Sequence, residues 1–136
     1  MKAPGMMLAL VAVSTACAPS VSDHDNRIFA APAAVKLSAR DLSAAYTADR
    51  AGADDRYRGR VIEISGVVRN LRPGATVLTL VAGEEGQAVE VSLHADAAAA
   101  VLATATGGQR VTLKCFCEGF DQRVRLKSCV APDQAR

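Results

Sequence analysis

Between Arg60 and Val130 the hydrophobic period of this 136-residue chain changes twice, and that order constrains its fold more than any other feature. Val61-Ile62-Glu63-Ile64-Ser65-Gly66-Val67-Val68 is rich in β-branched residues and predicts a strand. Arg72-Pro73-Gly74 marks a turn, a second strand covers about Thr76 to Val81, and Gly83-Glu84-Glu85-Gly86 closes it. Val89, Val91 and Leu93 alternate with Glu90, Ser92 and His94, the pattern of a half-buried third strand. Then the period lengthens. Ala97 to Thr104 is the best helix-forming stretch of the chain, with Asp96 placed to cap it and Gly107-Gly108 to stop it. Alternation returns over Arg110 to Cys117 and Arg123 to Val130. Upstream, Ser38 followed by Asp41 has the form of a capping box. Leu42, Ala45, Tyr46 and Asp49 recur at helical spacing behind it, predicting a helix over Ala39 to Arg50 that Gly52 ends.

Three strands, a helix and two strands is the connectivity of an OB-fold, so the expected class is mainly β with some helix: a five-stranded Greek-key barrel, its helix between strands three and four, and an extra N-terminal helix. Gly66 fits, because a glycine inside a long first strand permits the bend that lets one strand serve both halves of a small barrel. A generic α+β sandwich is the alternative.

The first seventeen residues bear on location. Lys2 is a short basic start, Met6 to Val13 is apolar, and Ser14-Thr15-Ala16 precedes Cys17. An apolar run this short falls well below the roughly 20 residues of a spanning helix, so residues 1–16 are expected to be a cleaved export signal. The cysteine after small residues predicts a lipoprotein, with Cys17 acylated as the membrane anchor; the alternative is an ordinary secretory signal, since Ser14 stands where an aliphatic residue is usual. Residues 17–36, with Pro19 and Pro32 and no apolar period, are expected to be a flexible tether, 37–131 the domain, and 132–136 a tail.

Charge argues against a polyanionic partner. Once Lys2 is removed, 15 basic and 14 acidic residues remain, and Arg56, Arg58 and Arg60 are flanked by Asp54, Asp55 and Glu63. Phosphate-backbone binding usually needs a one-sided basic surplus, and single-stranded nucleic acid needs ring platforms that an aromatic content of 4% scarcely supplies. Nucleic acid is therefore not the expected ligand. Cys115-Phe116-Cys117 with Cys129 and His94 offers zinc donors, but a Cys-x-Cys on a strand has no second close pair to complete a tetrahedron. The Cys-x-x-Cys of redox enzymes is absent, and His94 before Asp96 fits an exposed strand end entering a capped helix. No catalytic residue, metal or cofactor is expected.

The run Leu42, Ala45, Tyr46, Ala53-Asp54, Tyr57, Gly59, Ile62, Ile64, Gly66 and Val68, continued by Gly108, Val111, Lys114, Cys117, Gly119, Val124, Leu126 and Cys129, resembles the bacterial tRNA-anticodon-domain-like OB-fold proteins. The resemblance spans about Leu37 to Val130. It implies the barrel and an exported or lipidated protein, and carries no general activity with it. It also implies a disulfide between Cys117 and Cys129, with Cys115 an additional thiol. Strand parity puts Cys129 on the opposite face from Val124 and Leu126, so either a bulge near Lys127-Ser128 turns it inward or the pairing differs, Cys115 with Cys129 being the runner-up. The expected function is a non-catalytic module of the cell envelope, held to the membrane through Cys17 and binding a protein, glycan or small ligand. OB-folds bind across strands two and three and the adjoining loops, which here puts Arg69, Arg72, Thr76, Thr79 and Glu90 forward as contacts. A nucleic-acid-binding OB protein and a small thiol-dependent enzyme are the alternatives.

Overall fold

The computed structural model describes residues 24–69, 71, 74–83 and 87–134; the signal, Cys17 and Arg72 lie outside them. A single 3-10 turn, Asn26–Phe29, precedes β1 (Val35–Ser38), α1 (Ala39–Ala48), α2 (Arg50–Tyr57), β2 (Val61–Val68), β3 (Val77–Val81), β4 (Ala88–Leu93), α3 (Ala95–Thr104), β5 (Arg110–Asp121) and β6 (Arg123–Val130). The strands from β2 onward close in the order β2-β3-β4-β6-β5 and back to β2, with β4 and β6 parallel and the other pairs antiparallel. This is the five-stranded OB barrel, with α3 between its third and fourth strands. Ile62, Ile64, Val68, Leu78, Leu80, Val89, Val91, Leu113 and Leu126 fill it.

Gly66 sits where β2 changes neighbours. Ile62 to Ser65 pair with β1, whereas Val67 and Val68 pair with β3. A Cβ at position 66 would lie 3.1 Å from the Cβ of Ala39 and 3.3 Å from that of Leu80, so glycine lets α1 and β3 meet over the bend.

The helices differ from expectation in two places. The chain leaves α1 at Asp49, whose extended backbone (φ −159°, ψ 96°) starts a second helix, and its Oδ1 accepts the Gly52 N–H at 3.1 Å. Gly52 thus serves the start of α2 rather than the end of α1. At α3 the cap is His94, not Asp96: its Nδ1 accepts the Asp96 N–H at 3.1 Å.

The expected tether is the larger correction, because its second half is folded. From residue 24 the chain lies as a strap across the outer side of β2, β5 and β6. Ile28 is fully buried in a second apolar cluster with Val61, Ala97, Phe116 and Val130. The Asp25 N–H donates to Ser128 Oγ (2.9 Å), Lys114 Nζ donates to the Ala31 carbonyl (2.9 Å), and the Ala34 N–H donates to the Val61 carbonyl (2.9 Å). His94 is buried beneath it rather than exposed. Because Nδ1 is an acceptor, the ring proton sits on Nε2 and is donated to Asn26 Oδ1 at 2.9 Å.

Two bulges set the inner faces of β5 and β6. Lys114 pairs with Val130 but Phe116 with Lys127, so β6 carries an extra residue at Ser128, which takes a left-handed φ of 56°. Cys117 pairs with Leu126 but Gly119 with Arg125, so β5 carries its own extra residue ahead of Gly119, where φ is +112°. The bulge at Ser128 turns Cys129 inward, as parity required, and delivers it to Cys115: the disulfide is Cys115–Cys129, and Cys117 is a free, buried thiol. The Cys117–Cys129 pairing implied by the resemblance is overturned because Cys117 stands opposite Leu126, beyond the reach of the bulge.

Candidate functional site

The contacts expected on strands two and three fall on β3, β4 and the β2–β3 connection. Thr79 and Glu90 are directly paired, and both are half-buried on the outer side. Glu90 stands in turn beside Arg125, and Arg125 beside Gly119, so one outward row runs across four strands. Val77 and Val81 flank Thr79 and are 43% and 38% exposed, the exposed large apolar side chains among the described residues. Thr76 is exposed and its carbonyl accepts the Leu93 N–H. Arg69 anchors the β2–β3 connection instead of reaching outward: its N–H donates to the Thr79 carbonyl (2.9 Å) and its Nη2 to the Gln87 carbonyl (3.5 Å). The structure therefore brings Thr79 and Glu90 together and leaves Arg69 and Thr76 at the border.

A cleft missed by the sequence reading continues this row where α1 and α2 meet the β5–β6 hairpin. Phe120 divides it into two hollows. One, of about 280 Å³, is lined by Ser43, Thr47, Gln87, Gln122 and Arg123; the other, of about 190 Å³, by Asp54, Arg58, Glu118, Asp121 and Arg125. The Arg50 guanidinium lies 4.1 Å over the Phe120 ring, and Tyr46 stacks on that ring at 6.3 Å between centroids. The bulge before Gly119 makes this possible. It reverses the alternation, so that Phe120 turns to the same side as Cys117 and pairs with Val124. The expected strand stopped at Cys117, whereas β5 runs on to Asp121; a glycine within that longer strand, Gly119, is the signal that could have marked the bulge.

Behind the cleft, the Tyr46 hydroxyl donates to Asp54 Oδ1 (2.9 Å) and lies 3.6 Å from Cys117 Sγ. Burial pushes the Cys117 thiol above its ordinary 9.0, and burial together with the neighbouring thiol and carboxylate pushes Tyr46 up as well. Both groups hold their protons at neutral pH, so this cluster is a packed polar contact and not a thiolate nucleophile. In the cleft itself charges of both signs alternate, and Glu118 is paired with Lys127 at 3.1 Å.

With this geometry in hand, the tRNA_anti-like sequence pattern matches residues 4–130, nearly the whole chain. The chain belongs to the tRNA_anti-like family. No significant match was found among curated proteins. Among solved structures the fold is similar to that of a putative nucleic acid-binding lipoprotein from Klebsiella pneumoniae subsp. pneumoniae, at 15% identity and a TM-score of 0.54, over 69% of this chain and 87% of that one. At that identity the likeness concerns the barrel, and it agrees with the fold that the tRNA_anti-like family carries.

Proposed function

We propose that this member of the tRNA_anti-like family is a non-catalytic binding module of the cell envelope. It is exported by residues 1–16, anchored through an acylated Cys17, and takes its ligand on the Thr79–Glu90–Arg125 row and the Phe120 cleft. The observation that carries this reading is the continuity of that row with two hollows whose walls mix guanidinium, carboxylate and hydroxyl groups. Such a surface suits a polar partner with both donors and acceptors, a protein segment or a glycan, better than a polyanion, which would meet Asp54, Glu118 and Asp121 as well as the arginines.

The test is site-directed photo-crosslinking in intact cells. A crosslinker at Gln122, on the hairpin, should trap an envelope component, and Arg125→Ala should reduce that product; a crosslinker at Ala103, exposed on α3, should not trap it. Equal products from both positions overturn the assignment. Nucleic acid is the second reading, favoured by Arg50, Arg58, Arg123 and Arg125 around one aromatic ring and by the name given to the Klebsiella protein. Micromolar oligonucleotide binding that weakens steeply with salt would replace the first reading by this one.

A further inference from the structure

A third hollow lies apart from the cleft, where the start of α1 meets β2, the end of β3 and the start of β5. It measures about 300 Å³ and is lined by Ser38, Arg40, Ser65, Gly66, Gly83 and Arg110, with Val67, Val81 and Ala82 completing its wall. Its composition differs from that of the other two. Among the described residues no carboxylate lines it, whereas two guanidinium groups and two hydroxyls do. Arg40 and Arg110 are both exposed, and neither has a carboxylate partner among the described residues. The nearest acid on β2, Glu63, is engaged by Lys36 at 3.6 Å. Ser38 and Ser65 are brought side by side by the parallel pairing of β1 with β2, so their hydroxyls share one wall. Ser38 Oγ spends an acceptor site on the Asp41 N–H, which leaves its own proton free to be donated outward.

We propose that this hollow binds a phosphate group, held between the guanidinium groups of Arg40 and Arg110 over the hydroxyls of Ser38 and Ser65. Forked guanidinium donors match a tetrahedral oxyanion with several acceptor oxygens, and two of them on opposite walls suit a doubly charged group better than a single carboxylate. The space exceeds what one ion needs, so the phosphate is one end of a larger molecule or is accompanied by water.

The experiment uses the full processed protein, isotope-labelled and reconstituted in detergent, titrated first with inorganic phosphate. Saturable shifts of the Ser65, Gly66 and Arg110 amide signals are expected, weakened at least about tenfold in Arg40→Gln/Arg110→Gln. A second arm measures binding to vesicles of phosphatidylcholine with and without phosphatidylglycerol. The double arginine variant should lose the preference for the anionic vesicles if the phosphate belongs to a lipid headgroup, while Arg56→Gln/Arg60→Gln, exposed and away from the hollow, keeps it. Saturation by inorganic phosphate without a vesicle preference assigns a soluble phosphate compound. The proposal is overturned if neither probe responds, or if the responses are unchanged in the double arginine variant. A failed crosslink at Gln122 would leave this result untouched, since none of the four polar residues lines the Phe120 cleft.

Discussion

The barrel presents two outer faces of similar sequence character and opposite fate. On one, Val61, Lys114, Phe116 and Val130 point away from the barrel and are buried, because the strap of residues 24–34 lies over them. On the other, Val77, Thr79 and Val81 point away from the barrel and stay open. Strand alternation alone does not separate the two, since both read as outward positions on half-buried strands. What separates them is a contact distant in sequence: Asp25 reaches Ser128, 103 residues away. The outer side of β5 and β6 around Phe116 and Val130 belongs to the core of the domain, whereas the outer side of β3 and β4 stays open to solvent.

The largest effect that tests this comparison concerns the bond that fixes β5 to β6 beneath the strap. Cys129→Ala should cost roughly 2 to 5 kcal/mol, the usual range for losing a disulfide in a small exported domain, of which the chain-entropy model assigns about 3 to a loop near this length. Denaturant unfolding measures it, and non-reducing peptide mapping should join Cys115 to Cys129 while Cys117 is alkylated only after unfolding. A mapped link from Cys117 to Cys129 would overturn the Cys115–Cys129 pairing.

Next in size is the strap itself. Ile28→Ala removes a fully buried side chain and should cost about 2 to 4 kcal/mol, whereas Val77→Ala on the open face should stay within about 0.5 kcal/mol. Comparable small losses at both positions would mean that the strap does not belong to the folded domain and that the expected tether was right after all.

These contrasts also show why parts of the molecule were legible and others not. The five barrel strands, α3 and the bend at Gly66 stood out because local alternation, alanine content and one glycine all pointed the same way. β1 is four residues long, and α2 is eight residues holding Gly52 and only Ala53 fully buried, so neither has a period to read. The strap is invisible for a different reason: its turn is held by Ser128, His94 and Lys114, none of which is near it in sequence. Thr79 and Glu90 could be placed on one outer face from the expected strands two and three, while Arg125 and Phe120 come beside them only through two bulges that shift register by one residue and back. A parity argument sees that a bulge is needed near Ser128; it does not see which cysteine the bulge will reach.

A smaller effect should appear with alkali. Cys117 and Tyr46 both have native values raised above those of the unfolded chain, so the folded state keeps protons that the unfolded state gives up. The stabilisation from their neutral forms is full below pH 9 and declines as pH rises through the unfolded thiol's 9.0 and then the unfolded phenol's 10.0. Melting temperature should therefore fall above pH 9 in the wild type, and less steeply in Cys117→Ala. An identical slope in the variant would show that the buried thiol has no part in it.

The smallest effect on stability belongs to the open face. Glu90→Gln removes a half-buried charge that stands between Thr79 and Arg125 on the outer row, where water screens it. Stability should change by less than about 0.5 kcal/mol, a shift in melting temperature of roughly 2 to 4 °C at most. If the Glu90 carboxylate instead helps hold a partner, the same substitution should reduce the crosslink from Gln122 several-fold in cells while the purified protein melts normally. A destabilisation above about 1 kcal/mol would place Glu90 among the groups that hold the sheet together. The open face would then be structural in the same sense as the covered one, and the difference between them would be one of degree.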